Sequence, residues 1–281
     1  MLTKKDIINL TKSTGLNLLP ATDNKPFFNH MIPIWQRNIH NSITLPKDTI
    51  QKIENVSKTE QYTLGIVFIQ SLLFSVLFLL IPLLKFKKEK TNKKTSKLII
   101  FYFSALGIGF ILLEIVMMQK FVLFLGHPTY SISIILFSIL ISAGIGSYLS
   151  GIIINKIGIM KHIFFIHFSI IICIIFYIFI LDFIIIKTIH SDIILKGFIT
   201  FLLVFLLGLI LGMPFPTGLY LLSKEFSQTI AWAWAINAYM TVLGSMLSII
   251  IAISFGFLTV LFCALICYLI AFITILRFNF A

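Results

Sequence analysis

LIIFYFSALGIGFILLEIVMMQK, residues 98–120, is apolar over a length that crosses about 30 Å of hydrocarbon as a helix, and it carries one carboxylate, Glu114, near its middle. A charge at that depth costs about 2.5 kcal/mol or more even on lenient insertion scales. Such a group persists only when it is paired, protonated or facing a polar cavity. The rest of the chain suits the same surroundings. It is 59% hydrophobic and 11% charged, with a mean hydropathy of +1.05, whereas soluble proteins run at about 25% charged residues.

Seven apolar segments are expected as spans: 62–84, 98–125, 129–154, 163–181, 197–221, 230–254 and 257–276. Each is long enough for a membrane helix. Alternating ten-residue strand patterns are absent, which excludes a membrane β-barrel. The fold class is therefore all-α, a polytopic bundle of about seven helices over residues 62–281. Residues 1–61 form a polar leader broken by Pro20, Pro26, Pro33 and Pro46, with no apolar signal-peptide core. The stretch 182–196 mixes apolar residues with Lys187, His190 and Asp192 and reads as an interfacial loop or short surface helix. Only Gly256 separates the last two spans.

The net charge of +12 is concentrated in Lys85, Lys87, Lys88, Lys90, Lys93, Lys94 and Lys97. Beside a span, such a cluster sets topology and touches anionic headgroups, so the Lys85–Lys97 run points to the bilayer and not to nucleic acid. The loops at 155–162 and 222–229 and the tail at Arg277 are also basic. This pattern places 85–97 in the cytoplasm and, with seven spans, the leader on the other side.

Polar residues inside the spans are the candidates for function. Ser104, Gly107, Ile111, Glu114 and Met118 share one helix face. Glu114 reads either as a proton- or cation-linked group or as a protonated carboxyl bonded to a neighbouring helix. Gln119 lies near the helix end, where Lys120 can snorkel. His127 and Tyr130, in GHPTY, fall near the interface with hydrogen-bonding tips, although a tight membrane turn is the favoured reading. SAGIGSYLSG (142–151) spaces small residues by four, Gly146 with Ser150 and Ser147 with Gly151, as a packing face.

In GLILGMPFPTG, Gly208 and Gly212 form a close-contact pair and Pro214 and Pro216 break the helix, taking the donors from the Ile210 and Gly212 carbonyls. Broken helices line transporter sites, and they also merely shape bundles. Trp232 and Trp234 suit an interfacial belt. Asn237, Thr241, Gly244 and Ser248 recur on one face able to meet Glu114 or the proline break. His162 and His167 read as satisfied core histidines. Cys173, Cys263 and Cys267 read as packing residues, with no metal site. No dinucleotide fingerprint, P-loop, HExxH or G-x-S-x-G occurs, so no catalytic or cofactor-binding residue is assigned in this chain and enzyme activity stays open.

LGIGFILLEIVMMQKFVLFLGHPTYSISIILFSILISAGIGSYLSG, LGMPFPTGLYLL and AWAWAINAYMTVLGSMLSIIIAISFGF resemble the C-terminal membrane region of bacterial spermidine-synthase-like proteins, which carry a SAM-methyltransferase-like domain ahead of it. ATDNKPFFNHM (21–31) is similar to the junction after that domain. The resemblance implies a bacterial inner-membrane module serving a small cationic or lipidic substrate, with the methyltransferase-like partner supplied in trans. The cofactor loop of that family has no counterpart here. Two alternatives stand beside it: a self-sufficient polyamine or small-molecule transporter, and a non-catalytic scaffold or truncated product.

Overall fold

The computed structural model describes residues 93–225 and 227–278, together with Thr22, Asn24, Thr59, Leu77 and residues 62–63 and 65–74. Among these residues seven α-helices follow one another: α1 (Lys93–Leu125), α2 (Pro128–Ile157), α3 (Ile159–Thr188), α4 (Ile193–Leu211), α5 (Pro214–Glu225), α6 (Ile230–Phe255) and α7 (Phe257–Leu276). The chain is all-α. Six helical stretches, α4 and α5 counting as one, are long and apolar enough to cross a membrane. Of the expected first span, 62–84, a shorter apolar helix, Gly65–Phe74, is described. The rest of it lies outside the described residues, as do most of the leader, the 21–31 junction and Lys85–Lys90.

The Glu114 helix, α1, is the core of the bundle. Of its most apolar window, 56% is buried against 17–39% for the other five spans, and it packs on α6, α7, α2 and α4. Tyr102, Phe103, Leu113, Met117, Phe121 and Phe124 fill the interior around it. The outer helices are apolar on both sides, as lipid requires. Phe165, Phe168, Phe179 and Phe183 of α3 are exposed on the outer surface of the bundle while Ile163, Ile166, Ile170 and Ile174 pack inward.

Small residues set the two tightest seams. A Cβ on Gly146 of α2 would lie 2.1 Å from the Leu209 carbonyl oxygen of α4, and one on Gly212 would lie 2.3 Å from that of Ala143. Gly208 meets Ser142 in the same way. The predicted partners Gly146 and Ser150 are buried, whereas Ser147 and Gly151 are exposed, so only the first pair belongs to the packing face. Across α1 and α6, a Cβ on Gly107 would lie 2.4 Å from the Asn237 carbonyl oxygen, and Gly244 meets Ile108 and Ile111. Residue number rises together on both helices, so α1 and α6 run parallel.

Three expectations are corrected. Residues 182–188 continue α3 and the turn falls at Ile189–Asp192, so the stretch is mostly helix. Within this helix Asp182 accepts from the Lys120 ammonium of α1, whose side chain is 5% exposed. Lys120 is therefore buried and paired where snorkelling was expected. The Ile210 carbonyl, expected to lose its donor to Pro214, takes the N–H of Met213 at 3.3 Å instead.

Gly126, Gly158 and Gly256 link consecutive helices at φ of 75°, 82° and 95°, a region closed to most side chains. At Gly256 the chain turns back within one residue, so α7 runs antiparallel to α6. Asn24 of the leader caps α7: the N–H groups of Phe257 and Leu258 donate to its carbonyl and side-chain oxygens at 3.0 and 2.7 Å. Since α6 starts at the Lys97 end of α1, Asn24 sits at the opposite end.

Candidate functional site

The central helix serves as a ruler for the polar groups. Nearest its lysine-rich start, Tyr102 donates to the Pro214 carbonyl at 2.8 Å, and a Cβ on Gly218 would touch Tyr102 and Phe103. About one and a half turns deeper Gly107 faces Asn237, while Thr241 donates to the Asn237 carbonyl at 2.9 Å and reaches the Gly107 carbonyl at 3.4 Å. Glu114 follows about 10 Å further along the axis, and Lys120 with Asp182 lies about 9 Å beyond it. The structure thus sets the proline break, Asn237 and Glu114 at three depths, with about 18 Å between Tyr102 and Glu114.

The two polar faces read from the sequence meet along the α1–α6 seam. Gly107 is paired with Asn237 and Thr241, and Ile111 with Gly244. One further turn brings Glu114 to the level of Ser248. Glu114 is partly exposed and, among the described residues, makes no hydrogen bond or ion pair. The Ser104 and Ser248 hydroxyls on this seam are buried without a partner. Three polar groups on one seam therefore stand unsatisfied, where a buried hydroxyl alone costs about 1–3 kcal/mol.

The proline break is closed by side chains. Thr217 donates to the Met213 carbonyl at 2.7 Å, and its hydroxyl lies 3.0 Å from that of Ser150. Ser150 in turn lies 2.8 Å from His162 Nε2, and all three residues are buried. Trp234, Phe215, Phe103 and Tyr102 form a run of edge-on ring contacts with centroids 4.6, 5.5 and 5.1 Å apart. Trp234 is thus tied to the break, though still 56% exposed; Trp232 is half-buried.

The remaining candidates sit elsewhere. Gln119 is exposed on the outer surface of α1. His127 caps α2, its Nδ1 accepting from the Thr129 amide at 3.3 Å, and its ring lies 5.4 Å from that of Tyr130; both are exposed. They belong to the turn at the end opposite the lysines. The three cysteines are unpaired and half-buried.

Sequence reasoning read His162 as a satisfied core histidine and Ser150 as a packing residue, and passed over Tyr102. The Ser142–Gly146–Ser150 spacing does place Ser150 on the packed face of α2. Nothing in the sequence aligns it with Thr217, 67 residues away.

Fold and composition together define an integral, multi-pass helical membrane protein. No protein-family model, no curated protein and no solved structure matches the chain.

Proposed function

We propose that this chain is the membrane module of a spermidine-synthase-like or methyltransferase-like system and that the α1–α6 seam around Glu114 receives a small cationic substrate. One observation carries the reading: an intramembrane carboxylate on the core helix with no partner among the described residues, on a seam that also holds the buried unpartnered hydroxyls of Ser104 and Ser248. A structural carboxylate in hydrocarbon acquires a partner, as Asp182 does with Lys120. A polyamine supplies both the charge and the N–H donors that this seam lacks. The sequence resemblance supports the same substrate class.

Equilibrium binding of radiolabelled spermidine to the purified chain in lipid nanodiscs tests the proposal. Saturable binding that Glu114→Gln weakens at least tenfold is expected; binding equal in both proteins contradicts it. The proline break supports a second reading, a transporter in its own right. In proteoliposomes of this chain alone, the module predicts binding without accumulation, whereas the transporter predicts accumulation.

A further inference from the structure

Helix α2 carries small and polar residues on two faces, and the bundle uses one of them. Gly146 and Ser150 face α4 and the proline break. Ser147, Tyr148, Gly151 and Asn155 fall on the opposite side of the helix, and all four are exposed. A Cβ on Gly151 would meet nothing within 4 Å. Ser147, Tyr148 and Asn155 make no hydrogen bond, ring contact or ion pair among the described residues. Ser138 and Ser142 of the same helix, by contrast, bond its own carbonyls.

Depth sets this face apart. Ser147 precedes the end of α2 at Ile157 by about 15 Å along the axis, which is about half of a 30 Å hydrocarbon layer. Lipid tails offer its hydroxyl and the Tyr148 phenol no partner. Elsewhere the outer surface has the side chains that lipid favours: Phe168, Phe179 and Phe183 on α3, and Phe137 and Leu140 on the other half of α2 itself. The same helix face therefore changes character in its lysine-rich half, where Ile145 and Ile152 flank the polar strip as an apolar rim. Small residues for close approach and polar side chains for bonds across it are the composition of a helix–helix contact in a membrane.

The chemistry of the strip selects its occupant. Serine, tyrosine and asparagine each donate and accept, so a copy of the strip supplies what the strip lacks. Two copies in one bilayer share one orientation, and a two-fold axis along the membrane normal sets each residue against its own copy at the same depth. No charged residue lies on the strip to repel its copy; Lys156 is turned about 100° away from Asn155. We propose that the lysine-rich half of the outer α2 face is a two-fold interface with a second copy of this chain, bonded through Ser147, Tyr148 and Asn155 and brought close by Gly151. The interface uses no residue of the α1–α6 seam, so it stands or falls separately from the function proposed for Glu114.

Single-molecule photobleaching of the full chain, carrying one C-terminal fluorophore in vesicles of increasing lipid dilution, counts the copies. Two bleaching steps are expected for the parent protein at dilutions where chance pairs are rare. Gly151→Leu adds bulk where its own chain leaves open space. It is expected to keep the parent's helix content and to weaken pairing at least tenfold. Phe179→Leu, on the outer face of α3, should leave pairing unchanged. In a second measurement, membranes holding Ser147→Cys or Gly151→Cys are oxidised with copper phenanthroline in air. A disulfide-linked species of twice the 32.0 kDa chain is expected, and none from Phe179→Cys.

A single bleaching step for the parent at every dilution overturns the proposal. So does pairing that Gly151→Leu leaves intact, or a cross-link that Phe179→Cys forms equally well. A monomeric parent whose helix content falls in Gly151→Leu would assign this face to the chain's own first span, and that result overturns the interface too. If Gly151→Leu does not fold, the cross-link decides: a doubled band from either cysteine variant supports the interface, and its absence from both overturns it.

Discussion

The α2–α4 and α1–α6 seams are built from the same packing device and differ in their polar accounting. In both, glycine lets backbones approach to distances that a Cβ would forbid. Along α2–α4 the serines are satisfied within their own helix, Ser138 bonding the Ile134 carbonyl and Ser142 that of Ile139. Along α1–α6, Ser104, Ser248 and Glu114 have no partner among the described residues. Small residues at four-residue spacing therefore locate helix contacts. The unsatisfied polar groups separate a seam whose serines are paired from one whose polar side chains stand unpaired among the described residues.

Breaking the packing seam should produce the largest loss of stability. Gly146→Ala forces a Cβ into the Leu209 carbonyl and is expected to cost about 1–3 kcal/mol, with Gly146→Leu costing more. Thermal unfolding in detergent or lipid checks this against Gly144→Ala, whose new Cβ meets nothing within 4 Å and should be near neutral. Next comes the ion pair at the far end of the core helix. Asp182→Asn strands the buried Lys120 ammonium and should cost on the order of 1–3 kcal/mol, held down because Asp182 is itself 51% exposed. High salt should narrow the gap to the parent protein only slightly if the Lys120 side is as enclosed as its 5% exposure indicates.

The smallest stability effects sharpen the contrast by their sign. Ser248→Ala removes an unpartnered hydroxyl and is expected to raise stability by about 0.5–1 kcal/mol, whereas Ser142→Ala removes a satisfied one and should lower it by a similar amount. Equal losses at both positions would mean that the seams do not differ.

Much of the bundle was legible in the sequence because helical periodicity is local. The stripes Ser104–Gly107–Ile111–Glu114 and Asn237–Thr241–Gly244–Ser248 follow from 3.6-residue arithmetic, and the structure lays them against each other. The full length of α3 was not legible. Asp182 looked like a loop residue until its partner, Lys120, 62 positions earlier, was placed beside it. The break likewise appeared to leave the Ile210 carbonyl bare, since regular helical spacing does not show the tightened turn by which the Met213 N–H reaches it. His162 carried no signal alone. Its meaning depends on Ser150 and Thr217, which come from two other helices.

We propose that Glu114 is kept for a ligand and not for the fold. Glu114→Gln with thermal midpoint and spermidine affinity measured on the same nanodisc preparation tests it most directly. An unchanged midpoint and an affinity at least tenfold weaker are expected. A midpoint that falls while the remaining folded protein binds spermidine as tightly as the parent would make Glu114 a structural residue and contradict it.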